Sequence, residues 1–217
     1  MMYHNTQQSG FSLVETLVAL TILLLVMIGP MSIASSTARS TSFASEQVTA
    51  FFLAQEGVEF VEKYRDELLM TEARALGSPY NTNPTNGILR HNAFWTKFTD
   101  TSGSGALNEC YKNSGCALEI SSANVRAAIQ VINGCNPITN CRLYFRDVTA
   151  LGLDFRTYYT YSTGAGYVQT PFTRQIFLTP VATDQVQVRS VVTWHSGSLH
   201  QDQTVEVETY IFNVYGN

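Results

Sequence analysis

Apolar residues crowd one end of this chain and alternate with polar ones at the other. From Phe11 to Ile33 the apolar run is broken only by Ser12, Glu15, Thr16, Thr21, Gly29, Pro30 and Ser32. As a helix, residues 11–33 would span about 34 Å, enough to cross a hydrocarbon core of roughly 30 Å. A secretory signal has a shorter apolar core behind a cationic start, and Met1–Gly10 holds neither Lys nor Arg. The pattern therefore predicts a membrane-spanning helix over 11–33.

Past Ile33 the chain turns rich in Ser and Thr as far as Ser45, with Gly29-Pro30 just before. Proline removes one helical backbone bond and serine competes for others. A helix with a bend or soft point is expected over Gly29–Ser45, the alternative being a plain break. From Glu46 onward Val48, Phe51, Phe52, Val58, Val61, Tyr64 and Leu68 recur at helical steps, with Gln55 and Phe60 off the pattern. This predicts a continuation of the helix over 34–70, packed by that stripe on a core. The turn-rich stretch Gly77–Gly87 and the segment Asp100–Asn113 read as loops, with Phe94, Trp95 and Phe98 as a short packed piece. Residues 71–142 form a variable, loop-rich region.

The last third, 143–217, reads as strands. Arg142–Val148, Phe155–Tyr161, Thr173–Val181, Gln185–Trp194 and Gln203–Phe212 are rich in β-branched and aromatic residues. Val186, Val188, Ser190, Val192 and Trp194 alternate with Gln187, Arg189, Val191 and Thr193. Such alternation fits an antiparallel sheet with one face on a helix and the other in water. Ser196-Gly197-Ser198 reads as a hairpin turn. The fold class is α+β: a long N-terminal helix on a C-terminal antiparallel sheet.

Two features carry candidate chemistry. Glu15 is a lone carboxylate in the apolar run, where an ionised group costs about 2.5–3.5 kcal/mol at a membrane's centre. It sits near the helix start, where the dipole and the headgroups favour it. Either it is tolerated there, or it meets a cation from another molecule. The second feature is Cys110, Cys116, Cys135 and Cys141, two pairs with the same spacing. Structural zinc favours tighter pairs. Outside the cytoplasm disulfides are the simpler account, with zinc or free thiols as alternatives. Of three connectivities, the local loops Cys110–Cys116 and Cys135–Cys141 are favoured because each brackets turn residues. A crossed arrangement stays open.

The string Gly10-Phe11-Ser12-Leu13-Val14-Glu15-Thr16-Leu17-Val18-Ala19-Leu20 resembles the processing site of type IV pilins and type II secretion pseudopilins. The resemblance implies a pilin-like fold and a leader, residues 1–10. A prepilin peptidase would cut between Gly10 and Phe11 and methylate the new Phe11 amine. Glu15 would then pair with the amine of an adjacent subunit. It further implies assembly with other pilin or pseudopilin subunits, an inner-membrane assembly platform, contact with membrane lipid, and a cytoplasmic N-terminus with the C-terminal domain outside. The family's leaders usually carry Lys or Arg, which this one lacks. A chain of this size with a loop-rich head fits a minor, low-abundance subunit better than the main building block.

Composition narrows the alternatives. Charged residues are 14% and hydrophobic ones 45%, so the chain is no disordered tail. The net charge is −4 and no Lys/Arg cluster appears, which gives no nucleic-acid footprint. No phosphate loop, histidine metal pair or nucleophile elbow is present, so neither an enzyme nor a cofactor is expected. His195 and His200 flank the hairpin turn, Asp147 and Asp154 are isolated acids, and Tyr158, Tyr159, Tyr161 and Tyr167 suggest either sheet packing or a sugar- or surface-binding patch. The competing reading is a single-pass anchored, ligand-binding domain outside the cytoplasm. An extracytoplasmic enzyme has little to support it.

Overall fold

The computed structural model describes residues 10, 12–75, 93–103, 105–120, 129–146, 158–197 and 201–213. The leader before Gly10, Phe11, the Gly77–Gly87 stretch, Asp147, Asp154 and His200 lie outside these residues. The chain divides into two compact units, Met1–Ser45 and Glu46–Asn217. Helix α1, Leu13–Ala75, contributes to both.

In the first unit, α1 is apolar on every side from Leu17 to Ile28 and rich in Ser and Thr from Ser35 to Ser45. It is long and apolar enough to cross a membrane. A helix that is hydrophobic all round needs an apolar environment all round. Its hydroxyls are satisfied internally: Thr16 Oγ1 donates to the Leu13 carbonyl and Thr21 Oγ1 to that of Val18, each at 2.8 Å. The chain stays helical through Gly29-Pro30 and the Ser/Thr-rich stretch, so there is no plain break.

In the second unit, the rest of α1 lies on an antiparallel sheet. Its buried face is Ala50, Leu53, Ala54, Val58 and Val61. The expected stripe holds at Val58, Val61, Tyr64 and Leu68 and is corrected at its start, where Val48, Phe51 and Phe52 are 55%, 48% and 63% exposed. The physical reason is close approach. A Cβ on Gly57 would run into Ser190 Oγ, with Arg174 Cδ also in tight contact, so small residues set the helix down where large ones would hold it off.

The strands are β1 (Cys116–Ile120), β2 (Ile129–Gly134), β3 (Arg142–Arg146), β4 (Tyr158–Thr160), β5 (Tyr167–Ala182), β6 (Gln185–Ser196) and β7 (Gln201–Phe212). All pair antiparallel. β5 is the spine. Along one edge it pairs β6, which pairs β7. Its other edge is shared by β3, which carries β4, and by β1, which meets it at Cys116↔Ile176 and carries β2. β1 and β2 were not foreseen as strands, and β5 begins at Tyr167, ahead of the expected Thr173.

Inward positions of β6 follow the alternation, with Val186, Val188, Ser190, Val192 and Trp194 all buried. Val186 and Val188 meet Ile176 and Leu178 of β5 and Val58 and Val61 of α1 in one core. Each fully buried side chain of this size contributes about 1.5–3 kcal/mol of transfer free energy. Phe94, Trp95 and Phe98, on a short helix at 93–98, join that core. Trp95 Nε1 donates to the Thr183 carbonyl at 2.8 Å, in the β5–β6 turn.

Candidate functional site

Gly10 is exposed, and a Cβ there would meet nothing within 4 Å. Among the described residues, packing gives no reason for a glycine there. Phe11, the next candidate residue, lies outside the described residues.

Glu15 stands in the first turn of α1 and is exposed. The Ser12 carbonyl accepts the Thr16 N–H at 3.2 Å, so Ser12 takes the N-cap position and Glu15 the third helical one. Ser-x-x-Glu is the sequence of a capping box, in which the glutamate folds back on the cap. No such bond forms here: among the described residues the Glu15 carboxylate has no hydrogen-bond or ion-pair partner. The sequence reading overlooked this pattern, and its spacing alone would have raised it. Among the described residues, what favours the Glu15 carboxylate is the helix N-terminus itself.

The four cysteines form two disulfides, Cys110–Cys116 and Cys135–Cys141. The loops they close lie side by side. Cys135 N donates to the Gly115 carbonyl at 3.0 Å, and Gln175 Nε2 of β5 donates to that of Ser114 at 2.9 Å. Gly115 has φ +68, and a Cβ on it would press on Phe177 and the Ile176 carbonyl. Both reasons require glycine there. Among the described residues no cluster of three His, Cys, Asp or Glu stands at metal-binding distance.

A charged residue that the sequence reading did not single out sits at the centre of the second unit. Arg174 is 1% exposed, on the inward face of β5. Its Nε donates to Tyr161 Oη at 2.9 Å, its Nη1 to Glu56 Oε2 at 2.5 Å and to the Leu53 carbonyl at 3.2 Å, and its Nη2 to the Leu118 carbonyl at 3.3 Å. The guanidinium also lies 5.0 Å from the centroid of the Phe60 ring. One cation thereby joins α1, β1, β5 and the residue after β4. Burial alone would lower the Arg174 pKa. Tyr161 and Glu56 outweigh it, and the group stays charged. Tyr161 is pushed up by burial, against the pull of Arg174. The signal was present in the sequence: Arg174 falls in step with Phe172, Ile176 and Leu178, on the face that alternation assigns to the core.

Glu56 also borders a cleft of about 400 Å³ lined by Thr49, Phe52, Leu53 and Tyr159. The four tyrosines therefore part company. Tyr161 is buried, Tyr159 faces the cleft, and Tyr158 and Tyr167 stand beside Arg146 on the opposite face of the sheet. His195 Nδ1 lies 3.0 Å from Asp202 Oδ1, with both side chains largely exposed.

A long apolar N-terminal helix packed in its second part on an antiparallel sheet is the α+β, pilin-like architecture. Residues 5–29 match the family model of the prokaryotic N-terminal methylation motif, which supports a protein of the type IV pilin and pseudopilin family. No curated protein and no solved structure matches the chain. The motif points to a structural subunit in place of an enzyme, and implies processing by a prepilin peptidase and assembly with other pilin subunits. Motif and apolar helix together fit a membrane-anchored pilin.

Proposed function

We propose that this chain is a minor subunit of a type IV pilus or type II secretion filament. It is cut between Gly10 and Phe11, methylated on the Phe11 amine, and drawn into the filament by Glu15. The observation that carries this reading is the Glu15 carboxylate, without a partner among the described residues, at the start of a strongly apolar helix stretch within the matched motif. In lipid such a charge is favoured by any cation that meets it. The free amine of a processed neighbour is such a cation, one helical turn from that neighbour's own carboxylate. Before processing the chain is anchored once in the inner membrane, with Glu46 onward outside the cytoplasm. The two disulfides support that side of the membrane, where thiols oxidise.

Coexpression with a prepilin peptidase, followed by intact-mass measurement, tests the processing step. The expected product lacks Met1–Gly10 and carries one added methyl group. A product that still begins at Met1 defeats the proposal.

A further inference from the structure

On the sheet face turned away from α1, three side chains stand in one cross-strand row. Arg146 of β3 is in register with Tyr158 of β4 on one side and Tyr167 of β5 on the other. Its guanidinium carbon lies 5.8 Å from the centroid of the Tyr158 ring and 5.6 Å from that of Tyr167. Arg146 Nη1 donates to Tyr158 Oη at 2.7 Å. The inward neighbours Phe145 and Tyr159 pack on each other and toward Phe172, so the sheet is held from its other side. The outward row covers no part of the core, and Tyr158 is 37% exposed.

This arrangement presents a pre-positioned cation. Among the described residues no carboxylate comes within ion-pair distance of Arg146. The two rings hold the guanidinium in place, and among the described residues only Tyr158 Oη takes up a donor of its planar fork. Adjacent strands are about 4.8 Å apart, which puts the two tyrosines about 10 Å from each other, with the charge midway. Gln169, exposed in the next row of β5, adds an amide able both to donate and to accept. Flat, part-apolar rings flanking one cation, with an amide alongside, match a ligand that has ring faces, hydroxyls and one anionic group. The same sheet face turns acidic three strands away, at Asp202, Glu206 and Glu208 of β7, and would repel a long polyanion.

We propose that the Tyr158–Arg146–Tyr167 row is a binding subsite for a glycan residue bearing a single carboxylate. Arg146 takes the carboxylate in a bidentate pair, and the tyrosines stack on the sugar faces. This site is independent of processing at Gly10 and of assembly through Glu15.

The test is calorimetric titration of the full chain, held in a detergent that contains no sugar. The probes are disaccharides ending in glucuronate or galacturonate, each against its neutral counterpart, with acetate and a single-stranded oligonucleotide as further arms. At least one acidic disaccharide should bind about tenfold or more tighter than its neutral form. Arg146→Gln should reduce it to the neutral level, as should Arg146→Lys, which keeps the charge but not the fork. Tyr158→Leu should weaken it, and Arg189→Gln, elsewhere on the same face, should leave it unchanged. Circular dichroism melts confirm that each variant is folded. Equal binding of acidic and neutral sugars, equal competition by acetate, tighter binding of the oligonucleotide, retention in Arg146→Gln, or no binding by the wild type would each overturn the proposal.

Discussion

A glycine and a glutamate stand apart at the level of single residues, because among the described residues neither makes a side-chain contact that folding needs. A Cβ on Gly10 would meet nothing within 4 Å, and Glu15 has no partner among the described residues. Gly10→Ala is accordingly expected to leave folding alone and abolish cleavage, read as a full-length mass after coexpression with the peptidase. Glu15→Ala is expected to be cut normally and to fall out of the filament fraction of sheared cells. Undiminished incorporation would refute the pairing role. Arg174 is the opposite case, bound on all sides by its own chain. Removing Glu56 takes the counter-ion from a buried charge, and because Glu56 itself is 40% exposed, Glu56→Ala should cost about 1–2 kcal/mol in a urea titration. Adding Arg174→Met should restore part of that loss, since the stranded charge goes with it. The spacing of Gly10, Phe11 and Glu15 was legible because it is local in sequence. The Arg174–Glu56 pair joins residues 118 positions apart, and nothing local announces it.

Helix α1 shows how a buried face can be foreseen in one part and mistaken in another. A count of large apolar residues rightly chose Val58, Val61, Tyr64 and Leu68, but it also chose Val48, Phe51 and Phe52, where the contact is made through Ala50, Ala54 and Gly57. Hydrophobicity marks what can be buried, and closeness decides what is. Gly57→Val should therefore destabilise by about 1–3 kcal/mol, because its branches would meet Ser190 and Arg174. β6 was readable because one face is core and the other is not, which writes the period into the sequence. β1 was not, since Cys116, Ala117 and Leu118 are buried in succession and leave no alternation to see. The register slips between Ala117 and Leu118, which is what breaks the period. Near this pair, the Cys135–Cys141 disulfide closes a short loop, and Cys135→Ser with Cys141→Ser should lower stability by about 2 kcal/mol in non-reducing urea titrations.

On the scale of the whole molecule, the second unit carries its own core, its own disulfides and every strand. Residues 46–217 produced alone should fold, remain in solution and unfold in one transition. Their pH response follows from buried phenols. Burial pushes up Tyr111 and Tyr161, and Tyr64 as well, with Glu67 adding to the last. A phenol whose pKa is higher folded than unfolded contributes stability that is complete below the unfolded value of about 10 and shrinks as pH rises above it. Urea midpoints should therefore hold steady through neutral pH and fall steeply above about pH 10. A flat profile to higher pH would show that these hydroxyls are less shielded than their positions indicate.

The guanidinium of Arg174 also has a mechanical meaning. It grips a backbone carbonyl and a carboxylate on α1, a carbonyl on β1 and a phenol after β4, while its own backbone lies in the central strand. A pull along the axis of α1 therefore loads several bonds in shear at one point, instead of peeling them in turn. Sliding the helix by a single residue would strip the carboxylate and the carbonyl together. Under traction, the strength of this protein resides less in the area of contact between helix and sheet than in one buried rivet.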